Sequence, residues 1–234
     1  MGVVDSKSIG DAANHRVKPG VMTGSPGELE ALNQLTWAEI AARHDRITGR
    51  QVTVPQKIDC ERQDAESRFS DHFPVLDHLE HALTLTAQGP LASIGEGFAR
   101  VQQQLRWSQN PNYTEANSSR SFLDGYAYAG FSGPDAPLLC AVPRGGLVLL
   151  GPNVTYPSHH HAPREVYLVL TPGAQWCLDE GAWFDVAAGE LIFHDSWQMH
   201  AMRTGAQPLL AFAGWIETGD RRAIGWAENN TTSC

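Results

Sequence analysis

Between Gly151 and His200 the chain carries His159, His161, Glu165 and His200. Three imidazoles and a carboxylate suit one borderline divalent transition metal ion, Zn, Fe, Mn, Co or Ni, with coordination positions left for water or substrate. Side chains on a strand alternate faces, so His159, His161, Glu165 and Tyr167 all project to one side if the segment Ser158 to Thr171 is a strand. A helix would join His161 to Glu165 at i, i+4 but turn His159 away, and the run Val166, Tyr167, Leu168, Val169, Leu170 favours strand. A second segment, Gly189 to His194 followed by His200, supplies the late imidazole after a Gly turn and another strand. The spacing therefore predicts one metal site on two neighbouring strands that line a cavity. His160 has the wrong parity and His194 ends an apolar strand, so both are expected behind the ligands, on the surface or in the core.

The order His, x, His, three residues, Glu and a later His resembles the cupin superfamily, whose two short motifs place metal ligands on antiparallel strands of a small β-barrel. Asp195, Trp197 and Thr204 stand where Pro, Gly and Asn are expected, yet all four ligand types remain. A narrower resemblance runs through Tyr156, Pro157, His159, His161, Pro163, Glu165 and Tyr167 to His200 and Trp215. These residues look like those of the cupin-type dimethylsulfoniopropionate lyases of marine bacteria, which cleave that zwitterion to dimethyl sulfide and acrylate. The resemblance implies that His159, His161, Glu165 and His200 bind the metal and that Tyr167 is the base. It places Tyr156 and Trp215 in the substrate pocket beside His159, with Tyr156 a second catalytic candidate.

The chemistry follows from the residues. Elimination across a Cα–Cβ bond needs a base near the Cα proton, an electrophile on the carboxylate and a leaving group that departs neutral. The metal is the electrophile. A free phenol, with a pKa of about 10, is a poor base at neutral pH, and a nearby dication favours the phenolate. A sulfonium cation is attracted to aromatic faces by roughly 0.5 to 2 kcal/mol per contact. Two other classes stay open: a cupin metal-dependent oxygenase or isomerase acting on a small carboxylate, and a non-catalytic small-molecule-binding cupin. The last would call for an effector domain, and the N-terminal half offers no basic recognition helix.

The chain of 234 residues is 42% hydrophobic with a formal net charge of -9. That length can bury a sizeable core, and the acidic balance argues against nucleic acid and anionic membranes as partners. No apolar run approaches the roughly 18 residues of a membrane span, and Met1 to Gly20 lacks the apolar core of a secretory signal, so a cytoplasmic protein is expected. Cys60, Cys140, Cys177 and Cys234 form no C-x-x-C pair and are expected as reduced thiols.

The elements that must position the cluster are legible from periodicity. Pro26 opens a helix carrying Leu29, Leu32, Leu35 and Ile40 to about Asp45, and Pro74 opens another with Leu76, Leu79 and Leu83. Ile94, Phe98, Val101 and Leu105 make a third stripe. The polar stretch Cys60 to Ser70 reads as a loop. Strands are expected over Gly125 to Phe131, Leu138 to Pro143, Leu147 to Leu150, the motif segments and Leu209 to Glu217. The whole reads as mainly β: a cupin double-stranded β-helix barrel over residues 113–228, an N-terminal α-helical extension over 25–112, and a flexible N-terminus over 1–24. The expected assembly is a homodimer acting on a small zwitterionic substrate.

Overall fold

The computed structural model describes residues 27–54, 58–62, 73–217 and 224–226, so the expected flexible N-terminus lies outside the described residues. Its helices are α1 (Glu28–Ala41), α2 (Leu79–Ala87), α3 (Ala92–Val101) and α4 (Arg120–Asp124). The strands are β1 (Glu61–Arg62), β2 (Arg106–Ser108), β3 (Tyr126–Ser132), β4 (Leu138–Leu139), β5 (Arg144–Leu150), β6 (Thr155–His161) and β7 (Glu165–Val169). They continue as β8 (Ala174–Leu178), β9 (Phe184–Val186), β10 (Leu191–His194), β11 (His200–Thr204), β12 (Leu209–Trp215) and β13 (Ile224–Trp226). An eight-stranded sheet runs β1-β4-β3-β5-β12-β7-β10, with β2 paired to β3, and a five-stranded sheet runs β13-β6-β11-β8-β9. Folded face to face, they form the cupin double-stranded β-helix, with the helices of the N-terminal extension outside the larger sheet.

The larger sheet is buried on both faces, which is why its strands read as nearly continuous apolar runs. On β12, Leu210 and Phe212 point outward to the helices while Leu209, Ala211 and Ala213 point between the sheets. Strand β5 divides Leu147 and Leu149 from Val148 and Leu150 in the same way, and β7 divides Val166 and Leu168 from Tyr167 and Val169. The outer layer is closed by Leu29, Leu32 and Ile40 of α1 and by Ile94, Phe98 and Val101 of α3, as the helical stripes predict, and by Trp37, which they do not include; Leu35 of the expected stripe is exposed instead. A Cβ at position 214 would collide with the Trp37 indole, so Gly214 lets α1 press onto β12.

The segment after α1 straps the exposed edge of β10. Arg46 N–H donates to the Leu191 carbonyl at 2.9 Å, and Asp45 Oδ1 accepts the Phe193 N–H at 2.8 Å. Arg43 donates to the Gly189 carbonyl at 2.9 Å, and Arg50 pairs with Asp195 at 3.0 Å. An open sheet edge is thereby covered.

Two expectations are corrected here. Cys60 and Cys140 form a disulfide, with Cα atoms 4.7 Å apart and a sequence separation of 80. It joins the start of β1 to the end of β4, which pair as Glu61↔Leu139 and Arg62↔Leu138. No local motif marks two cysteines so distant, and the bond removes the thiol argument for a reducing compartment, because such bonds persist in oxidising ones. Second, Leu138 to Pro143 is strand only at Leu138–Leu139, since the chain leaves the sheet to make that bond, and Glu61–Arg62 is strand where a loop is expected. No described helix is long and apolar enough to cross a membrane.

Candidate active site

The segment Ser158 to Thr171 is not one strand. A turn at Ala162 to Arg164 divides β6 from β7, and the two strands lie in opposite sheets that face one another. Pro163 breaks the ladder, and Arg164 anchors the turn through Glu217 at 2.7 Å. The expected ligand face survives because both strands turn it toward the space between the sheets. His159 lies opposite His200 of β11, and Glu165 lies between His194 of β10 and Trp215 of β12. The predicted pair of neighbouring strands is thus corrected to a cluster drawn from both sheets.

A bulge explains how Tyr156, at even parity, joins this face. The register moves from His200↔His159 to Met202↔Tyr156, so β6 carries one extra residue around Pro157. Proline cannot donate to the ladder, and a bulge is where it fits. Tyr156 then stacks on His159, with ring centroids 4.7 Å apart and planes at 29°.

His159, His161, Glu165, His194 and His200 are all buried. The Nδ1 atoms of His159, His161 and His200 lie 2.9, 2.8 and 2.8 Å from the carbonyls of Pro157, Pro163 and Gln198. A carbonyl only accepts, so each Nδ1 carries the proton; the Nε2 atoms of His159 and His200 then keep a lone pair for the centre of the cluster, the arrangement usual for metal-ligating histidines, while that of His161 holds a proton toward Glu165 that a bound ion would displace. His161 Nε2 stands 3.1 Å from Glu165 Oε2, while Glu165 Oε1 accepts from Trp215 Nε1 at 2.9 Å. His200 Nε2 is buried with no hydrogen-bond partner among the described residues and lies 3.6 Å from Glu165 Oε2. One donor atom from each of His159, His161 and His200 lies within 4.8 Å of the others, and the same holds for Glu165, His194 and His200. Buried donors of this kind, one of them unpaired among the described residues, fit a divalent transition metal ion.

The electrostatics agree. Burial holds His159 down at about 3 and keeps His194 and His200 below the usual imidazole range, so these three are neutral, the form that ligates. For Glu165 burial works upward but the charge and hydrogen bond of His161 outweigh it, and the carboxyl stays well below its ordinary value. His161 is the converse: burial lowers it, Glu165 raises it, and the net direction is up.

A cavity of about 650 Å³ opens onto this cluster, with Tyr156, His159, His161, Glu165, Tyr167 and Trp215 in its wall. His200 lies behind them against His159, ring centroids 4.1 Å apart. All seven residues singled out by the sequence are therefore brought together. Burial pushes the Tyr167 phenol well above its ordinary value, and the Glu165 charge adds to this; Tyr156 is raised too, by burial and then by the neighbouring tyrosines. The Tyr156 hydroxyl is engaged by the Tyr113 hydroxyl at 2.7 Å. His160 faces away and stands 5.5 Å from the exposed ring of Trp197.

His194, expected behind the ligands, on the surface or in the core, lies buried beside Glu165. Taken as the end of an apolar strand, it in fact shares the inward parity of Ile192, while Leu191 and Phe193 face the outer core. That alternation was the available signal, and pairing with Glu165 across β7 and β10 gave it meaning.

The double-stranded β-helix and its buried His and Glu cluster define the class, a cupin with the makings of a metal centre. Residues 50–211 match the family model of the dimethylsulfoniopropionate lyases, and the chain belongs to that family. It is 26% identical over 133 residues to the dimethylsulfoniopropionate lyase DddQ of Ruegeria pomeroyi (strain DSS-3), a match spanning 57% of this chain and 64% of that relative's length. The crystal structure of DddQ from Ruegeria pomeroyi DSS-3 superposes with a TM-score of 0.64 at 20% identity, covering 88% of this chain and all of that one (100%). A structure described among the dimethylsulfoniopropionate lyases RdDddP and RnDddQII gives 0.66 at 22% identity, covering 86% of this chain and 98% of its own. At these identities the two structures share the fold.

Proposed function

We propose that this protein is a metal-dependent lyase that cleaves dimethylsulfoniopropionate by β-elimination, with Tyr167 as base. The reaction removes a proton from the carbon beside the carboxylate, forms the Cα–Cβ double bond of acrylate and expels neutral dimethyl sulfide with the electron pair of the broken C–S bond. Family membership supports the substrate. The observation that carries the chemistry is that His159, His161, Glu165 and the Tyr167 side chain share one cavity wall, with no described residue hydrogen-bonded to the Tyr167 hydroxyl.

His159, His161, Glu165 and His200 would hold the ion, with Trp215 and the three backbone carbonyls fixing their orientation. A divalent ion so held supplies positive charge to a carboxylate substrate and to a neighbouring phenolate. Tyr167 needs such charge, because burial and Glu165 both oppose its ionisation. Tyr156 is tied to Tyr113, so its part is to present an aromatic face, with Trp215, to the sulfonium group.

The deciding experiment is incubation of the metal-loaded protein with dimethylsulfoniopropionate in the absence of oxygen, with dimethyl sulfide measured in the headspace. Release without oxygen is expected. Absence of product anaerobically, with oxygen consumed when it is admitted, would overturn the elimination in favour of an oxygenase.

A further inference from the structure

One buried imidazole has no task in this scheme. His194 is 0% exposed, its Nδ1 lies 3.4 Å from Glu165 Oε2, and its Nε2 has no hydrogen-bond partner among the described residues. The ring stacks on His200, with centroids 3.8 Å apart and planes at 26°, and the Nε2 of His200 likewise has no partner among the described residues. A buried polar atom left unpaired costs about 1–3 kcal/mol, so each of these nitrogens calls for a partner. The donor atoms of Glu165, His194 and His200 lie within 4.8 Å of one another, as close a grouping as that of His159, His161 and His200.

The fold holds His194 in this place from three sides. Pairing across β7 and β10 sets it opposite Glu165, and Leu191 and Phe193 on either side of its inward neighbour Ile192 are fixed in the outer core. Asp45 and Arg46 then fasten the far edge of the strand through Phe193 and Leu191. The strap from the N-terminal extension thus bears on the site through the strand that presents His194.

We propose that His194 is a further ligand of the metal ion: Glu165, His194 and His200 form a second donor group that shares His200 with the first, so that four imidazoles and one carboxylate surround the ion. This rests on the metal-centre reading above. Five protein donors leave one position of an octahedral ion for a substrate oxygen, which suits Fe, Mn, Co or Ni and is one donor beyond the four of tetrahedral zinc.

Cobalt(II) is the probe, because its visible bands report the number and kind of its ligands. The full-length wild type loaded with cobalt is expected to absorb weakly, and His194→Phe to show shifted bands and one imidazole fewer by X-ray absorption, water taking the vacated position, while its circular dichroism is unchanged. Competition with a chelator should show affinity falling by about 10-fold or more. An unchanged cobalt spectrum in folded His194→Phe overturns the proposal even if affinity drops, because a residue that only orients Glu165 would weaken binding without altering the set of donors. If that variant does not fold, X-ray absorption of the cobalt-loaded wild type decides, four imidazoles supporting the proposal and three overturning it. A wild type that takes up no cobalt overturns the metal-centre reading itself, whereas one that binds cobalt with a His194-independent spectrum overturns this inference alone.

Discussion

The outer and inner faces of β5, β7 and β12 are equally buried and do different work. Outward, Leu147, Leu149, Val166, Leu168, Leu210 and Phe212 meet the helices in an apolar layer knit by edge contacts such as Trp37 with Phe212, 5.4 Å between centroids. Inward, the same strands carry Glu165 and Tyr167 toward Tyr156 and the histidines of the opposite sheet. Burial alone therefore does not locate function. The difference lies in clustering: among the described residues the outer layer has isolated unpaired polar atoms such as Trp37 Nε1, whereas the inner one brings donor atoms of Glu165, His194 and His200 within 4.8 Å of one another.

Substitutions on the two faces should separate stability from chemistry. The largest effect is expected from Glu165→Ala on the inner face, with metal content by elemental analysis falling to trace and dimethyl sulfide release falling by about 10³-fold or more while the fold persists. Wild-type metal content in that variant would remove Glu165 from the ligand set. On the outer face, Phe212→Ala should cost about 3–5 kcal/mol in urea denaturation with the cluster untouched, so that folded molecules keep their metal. Activity lost in proportion to metal, with stability unchanged, would show the two faces are not separable in this way.

Tyr167→Phe removes one hydroxyl and should lower kcat by about 10²-fold at unchanged metal content and Tm. Near wild-type turnover would make Tyr167 a packing residue and turn attention to Tyr156. The smallest effect is a pH dependence confined to the inner face. His159, His194 and His200 are held below an unfolded value of about 6.5, so the unfolded chain binds more protons in that range and stability falls as pH drops from about 6.5, continuing for His159 to about 3. Glu165, also lowered, acts in the same direction at more acid pH; His161, raised by Glu165, acts oppositely and only partly offsets the three. Urea midpoints of chelator-treated protein between pH 7 and pH 4 (about those limits) check this, and a midpoint rising on acidification would contradict it.

Much of the inner face was legible because its signals are local. The His, His, Glu and Tyr types at odd positions mark one face of a strand, and the stripes of Leu29 with Ile40 and Ile94 with Phe98 mark helices wherever they dock. What was not legible depends on partners far along the chain. The turn at Pro163 sends β6 and β7 into opposite sheets, so a face read as one strand is two walls of a cavity. The bulge at Pro157 that returns Tyr156 to the ligand face exists only against β11. Cys60 and Cys140 meet because β1 pairs with β4.

The sequence by itself determined the donor types, the aromatic residues beside them and the mainly β architecture with helices ahead of it, since residue chemistry and periodicity of 2 or 3.6 are properties of short segments. Tertiary structure alone decided that His194 joins the cluster, that the segment from Arg43 to Arg50 braces its strand, and that one carboxylate, Glu165, is shared among His161, His194 and Trp215. The physical reason is register. Which residues face each other across a sheet is fixed by hydrogen bonding between strands remote in sequence, and a shift of one residue would have turned Glu165 and Tyr167 from the cavity into the apolar layer under the helices.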